Sequence, residues 1–161
     1  MLVTVVRLAV DRTTNTPVVF LQEAVGSRGV AIWIGGAEAA AIAVAMQQER
    51  APRPLTADLL AATLAATGGR LDRVAITGLR GGTYFARLEL TRDDGVPVTI
   101  DARPSDALAL ALRCAAPVVA SAALLAEAAV PAPTPPEPLS SDALREHLRS
   151  LSPEDFGRFL P

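Results

Sequence analysis

The stretch that decides the fold runs from Leu71 to Cys114 and reads LDRVAITGLRGGTYFARLELTRDDGVPVTIDARPSDALALALRC. Leu71 to Leu79 is rich in β-branched and apolar residues and reads as a strand. Arg80-Gly81-Gly82-Thr83 is a hairpin turn, and Tyr84 to Leu90 continues as a second strand. Asp93-Asp94-Gly95 turns again into a third strand, Val96 to Asp101. Arg103-Pro104 then interrupts the extended pattern, because proline fixes its own φ and disfavours helix in the residue before it. Ser105 is placed to cap a helix from about Asp106 to Cys114.

The same order stands upstream. Leu2 to Val10 and Pro17 to Glu23 read as strands joined by the polar turn Thr13-Thr14-Asn15-Thr16. After Gly26-Ser27-Arg28-Gly29 comes a third strand, Val30 to Ile34, ended by Gly35-Gly36. A breaker-free helix is expected from Ala37 to Arg50, stopped by Pro52-Arg53-Pro54. A second helix follows, with Thr56 as its N-cap and Gly68-Gly69 as its end. Downstream of Cys114, Pro117 to Ala120 reads as a short strand and Ser121 to Ala129 as a short helix. Three strands and two helices thus occur twice, from which we expect an α+β fold with a largely antiparallel sheet and a duplicated strand-strand-strand-helix-helix unit.

Residues 1–130 form the expected domain. Residues 131–139, with Pro131, Pro133, Pro135, Pro136 and Pro138, read as a stiff linker. Residues 140–161 read as a short helical appendage, with Leu144, Leu148 and Leu151 on one side, that docks on the domain or on another protein.

Composition narrows the chemistry. Half of the 161 residues are hydrophobic and the formal charge is −2, which excludes a wholly disordered chain. No uncharged apolar run is long enough to cross a bilayer as a helix, and the N-terminus has no signal-peptide layout, so a cytoplasmic protein is expected. All 15 basic residues are arginine, so a lysine nucleophile and a P-loop are excluded. Cys114 and His147 are the only residues of their kinds, which excludes an internal disulfide and cysteine- or histidine-rich metal sites. Arginines and acids balance over residues 1–130, so any nucleic-acid site needs arginine gathered locally.

Ile100-Asp101-Ala102-Arg103-Pro104-Ser105-Asp106-Ala107-Leu108-Ala109 carries the densest chemistry. A strand end, Asp101, leads through Arg103 into a helix start whose free N–H groups suit a phosphate oxygen. Arg103 is suited to clamp that phosphate, and Asp101 and Asp106 to hold a divalent cation, Mg²⁺ or Mn²⁺, that activates water. A structural reading fits the same residues: Ser105 a helix cap, Asp106 a first-turn acid, Asp101 with Arg103 an ion pair. On the residues alone that reading is the stronger. In the first half, the matching junction holds Gly35-Gly36 and Glu38, beside Trp33, which is either a base-stacking residue or part of the core or an interface. Arg53 lies before the second helix.

These segments closely resemble the bifunctional nuclease domain family. The resemblance rests on Ala31-Ile32-Trp33-Ile34-Gly35 with Glu38, on Pro52-Arg53-Pro54-Leu55-Thr56 with Asp58, on Thr83 to Leu88, and above all on Ile100 to Arg113. It implies an oligomeric α+β domain with nuclease activity on DNA or RNA. Asp101, Asp106 and Glu38 then stand as catalytic candidates, Asp101 and Asp106 also as metal ligands, and Arg103, Arg53, Ser105, Thr56 and Trp33 as substrate-binding candidates. Family members often have His at the position of Ala57 and an acid at that of Gly81. The alternative is a non-enzymatic, oligomeric binding or regulatory module whose Asp/Arg motif is structural.

Overall fold

A computed structural model describes residues 1–48 and 51–131. Its element order is β1 (Leu2–Asp11), β2 (Thr16–Glu23), β3 (Arg28–Trp33), α1 (Gly36–Met46), α2 (Thr56–Ala66), β4 (Arg70–Arg80), β5 (Thr83–Thr91), β6 (Pro97–Ala102), α3 (Pro104–Cys114), β7 (Val118–Ala120), α4 (Ala122–Glu127) and β8 (Val130–Pro131). The class is α+β, as the sequence led us to expect. The strands form one sheet in the order β6-β5-β4-β7-β1-β2-β3-β8. Two antiparallel meanders, β1-β2-β3 and β4-β5-β6, are joined through β7, which runs antiparallel to β1 and parallel to β4. β7 lies between α3 and α4, whereas no strand lies between α1 and α2.

Period-two patterning explains the second meander. In β5, Ala86, Leu88 and Leu90 are buried, while Phe85 and Arg87 between them face out. In register, Leu88 pairs with Ile100 and Arg87 with Asp101, so Asp101 shares the outward face. α3 is the centre of the core: Pro104, Ser105 and the whole run Ala107 to Ala111 are buried. It packs on α1, α2, β4 and β5. Ala39, Ala43, Ala107 and Ala111 leave little bulk between helices, so the axes approach closely.

The sheet must curl around this helix. β3 and β6 are six strand positions apart, about 29 Å on a flat sheet at 4.8 Å per step. Yet Arg103, just after β6, reaches Glu38, just after β3, at 3.0 Å. Twist over eight strands brings the two strand-to-helix junctions to one mouth.

Several boundaries differ from the sequence reading. The third strand starts earlier, at Arg28, where it pairs with Pro131. α1 ends at Met46 and not at Arg50, which lies outside the described residues. Thr56 is the first helical residue of α2 rather than its cap. Leu55 holds the cap position, and its N–H is accepted by the Asp58 carboxylate at 3.0 Å. Likewise Arg103 caps α3, with Pro104 first and Ser105 second. Proline needs no N–H partner there, which is why the helix starts earlier than a serine cap suggests. Ser121 does cap α4, accepting the Leu124 N–H at 3.0 Å. Apart from Pro131, which ends β8, the linker and the C-terminal appendage, with His147, lie outside the described residues.

Candidate functional site

Two places carry the chemistry. The first is the mouth where the strand-to-helix junctions meet. Arg103 donates to Asp106 through Nε at 2.6 Å and Nη2 at 3.1 Å, and its Nη1 lies 3.0 Å from Glu38 Oε1. Glu38 and Asp106 occupy the same position, the third residue, of α1 and α3. There each acid also meets the positive end of its helix. These two carboxylates, Asp106 first, push the Arg103 guanidinium above its ordinary value. Gly35 makes room for the arrangement, since a Cβ there would collide with the Glu38 carboxylate.

The second place is on the outward face of β4, β5 and β6. Asp101 lines a cavity of about 360 Å³ there with Thr77, Gly78, Arg80, Phe85, Arg87 and Thr99. The Arg80 guanidinium lies over the Phe85 ring, 5.7 Å from its centroid. Arg87 pairs with Glu89 at 2.9 Å, and Arg73 holds the same carboxylate. Those two arginines keep the Glu89 carboxyl below its ordinary range. Among the described residues, Asp101 has no hydrogen-bond or ion-pair partner, and Arg80 has no carboxylate partner.

The residues singled out from sequence therefore separate. Glu38, Arg103 and Asp106 come together, with buried Ser105 behind them. Asp101 faces the other side of the sheet. Trp33 is 52% exposed, outside the core, and its indole N–H donates to Asp11 at 3.1 Å. Thr56 lines an apolar cleft of about 320 Å³ between α1 and the start of α2. Arg53 is exposed and has no ion pair among the described residues. Ala57, on the same cleft as Thr56, offers no donor or ligand atom. Cys114 is half-buried, and burial pushes its thiol up, which suits packing rather than nucleophilic chemistry.

Mg²⁺ or Mn²⁺ held by the protein needs several oxygen donors converging on one point. Among the described residues no set of three Asp, Glu, His or Cys side chains does this. Asp106 is taken bidentately by Arg103, and Asp101 lies on the opposite face. This donor set does not fit a resident divalent ion.

Arg80, Arg87, Gly78 and Phe85 were not singled out from sequence as site residues. The signal was there: alternation sets Phe85 and Arg87 on one face of β5, and Thr99 and Asp101 on the same face of β6. Only the register brings the two strands side by side.

An eight-stranded, mostly antiparallel sheet curled around a buried helix, with an acid-and-arginine cavity on its outer face, defines the class as an α+β domain. Residues 19–133 match the Bifunctional nuclease domain family, and the chain belongs to that family. It is 41% identical over 162 residues to an uncharacterized protein of Mycobacterium tuberculosis strain CDC 1551 / Oshkosh, and equally to one of strain ATCC 25618 / H37Rv, covering 96% of this chain and of each relative. No helix among the described residues is long and apolar enough to cross a membrane.

Proposed function

We propose that the protein is a nuclease that hydrolyses phosphodiester bonds of DNA or RNA in the cytoplasm. Family membership supports the reaction class. The observation that carries the site is Asp101: alone among the three acids singled out, it has no partner and lies in a cavity beside two guanidinium groups. Asp101 acts as general base, taking a proton from water as the water attacks phosphorus; the P–O bond to one sugar oxygen breaks, and that oxygen leaves as a hydroxyl after taking a proton from solvent. Arg87 and Arg80 bear on the phosphate and offset the charge that develops on its oxygens.

The test is cleavage of labelled single- and double-stranded DNA and RNA by purified protein, with and without Mg²⁺ or Mn²⁺. Asp101→Asn should lower the rate about 100-fold or more. Glu38→Gln should change it far less, since Glu38 is bound to Arg103. Absence of cleavage under every condition, or an Asp101→Asn rate equal to wild type, overturns this reading.

A second reading, a non-enzymatic binding or regulatory module, is favoured by the way Glu38 and Asp106 occupy Arg103. It predicts nucleic-acid binding or partner binding without turnover. Both readings include a homo-oligomer. α2 has no buried residue and leaves Leu55, Leu59 and Leu60 39%, 60% and 46% exposed, an apolar patch suited to a second copy. Sedimentation equilibrium should give more than one chain per particle, and Leu59→Glu with Leu60→Glu should return it to one.

A further inference from the structure

β4 bulges between Ile76 and Gly78 where it pairs with β5. A glycine inside a strand often marks a bulge, or a place where a ligand or another backbone approaches closely. Gly78 sits at this bulge, outside the left-handed region, and a Cβ there would meet nothing within 4 Å, so no other backbone presses on it. It lines the outer cavity. Bulges of this kind re-aim neighbouring side chains, and here Arg80 lies beyond the bulge against Phe85.

The walls of the cavity carry unlike demands. Of the two arginines that line it, Arg87 shares the Glu89 carboxylate with Arg73, and Arg80 has none among the described residues, so the arginine side calls for an anion. Asp101 opposes them as an acceptor-only group. A bare phosphate satisfies the arginines but is repelled by Asp101. The ligand must present an anion at one end and a hydroxyl or amino donor at the other, with a flat apolar part for Phe85.

We propose that this cavity seats one nucleotide of a single-stranded nucleic acid. The phosphate lies on Arg80 and Arg87, the base packs on the Phe85–Arg80 platform, and one Asp101 oxygen accepts from a sugar hydroxyl or base amino group while the other stays open to the attacking water. A volume of about 360 Å³ holds one such unit. A duplex keeps its bases stacked inside and cannot offer a whole nucleotide. This inference rests on the nuclease reading for the class of ligand and adds to it the strandedness of the substrate.

The test uses the full chain and a fluorescein-labelled single-stranded octanucleotide, with binding read by anisotropy in the presence of a chelator. Gly78→Leu puts a side chain into the cavity from a position where a Cβ meets nothing within 4 Å, and Arg80→Ala removes the anion contact. Each should weaken binding about tenfold or more. Arg12→Ala, the same charge change at an exposed arginine in the β1–β2 turn, should stay within twofold. An unlabelled duplex of the same sequence should compete at least tenfold less well than the single strand. Thermal melts establish that Gly78→Leu and Arg80→Ala are folded. Unchanged binding in both, equal losses in all three variants, or a duplex that competes as well as the single strand overturns the proposal. The two readings fail separately. Cleavage by wild type that Gly78→Leu leaves intact sinks the cavity, with Asp101 as its base, and spares only the reaction class. Binding that Gly78→Leu abolishes, with no cleavage, spares the cavity and sinks the nuclease.

Discussion

All three nitrogens of the Arg103 guanidinium face carboxylate oxygens, two on Asp106 and one on Glu38. Arg103 thereby fastens the end of the second meander to the start of α1. The Arg103 side chain is 62% exposed, so each pair contributes only about 0.2–1 kcal/mol. Arg103→Ala should therefore destabilise by about 1 kcal/mol, a fall of about 4 °C in a thermal melt followed by circular dichroism. Arg103→Lys should restore little of it, because an ammonium cannot reproduce the fork. Gly35 makes a second check. Its φ of −72° suits any residue, so Gly35→Ala introduces no backbone strain. It should act only by displacing Glu38, and so match the stability loss of Glu38→Gln in the same melt.

At the scale of elements, Asp58 ties α2 in place twice. Its carboxylate accepts the Leu55 N–H and pairs with Arg113 of α3 at 2.9 Å, where the Arg113 side chain is only 11% exposed. Asp58→Ala should cost about 1–3 kcal/mol by loss of a cap and of a largely buried ionic hydrogen bond. Asp106→Ala, at a half-exposed pair, should cost about 1 kcal/mol or less. Chemical denaturation of the two variants side by side checks the order. This double role also shows where sequence reading stops. Strands and helices were legible because alternation and breakers are local: Tyr84 to Leu90 and Gly81-Gly82 announce themselves. That Asp58 meets Arg113, or that Glu38 meets Arg103, depends on how far the sheet curls, which no local pattern encodes. Asp101 and Asp106, five residues apart, look like one site in the sequence. They are divided because a strand ends and a helix begins between them, which turns their side chains to opposite sides. Ser105 and Thr56 are not the caps because Pro104 starts α3 one residue ahead of Ser105, and at α2 Leu55 holds the cap position with its N–H accepted by Asp58.

At the scale of the whole molecule, four carboxyls spread over both meanders are held below their ordinary range. Asp11 is held down by hydrogen bonds from Thr13 and then Trp33, and Glu23 by Arg28. Asp72 is lowered by Thr91 and then Arg70, and Glu89 by Arg73 and then Arg87. A carboxyl lowered in the folded state adds stability that is fully present above its unfolded value and is lost as pH falls through the folded one. The melting temperature should hold steady between pH 7 and 5 and fall progressively below about 4. Melts at pH 7, 5, 4 and 3 check this, and a maximum at pH 3 would refute it.

The three-residue strand β7 has a consequence in time. Among the described residues it supplies the strand pairing that joins the meanders, covering the free edges of β1 and β4 together. During synthesis those edges emerge long before Val118–Ala120. Until then each meander presents an open row of N–H and C=O groups to any extended chain nearby. Chains ended at residue 116 should therefore collect in the insoluble fraction, while the full chain does not. A three-residue strand that emerges after both ribbons decides whether they close on each other or on their neighbours.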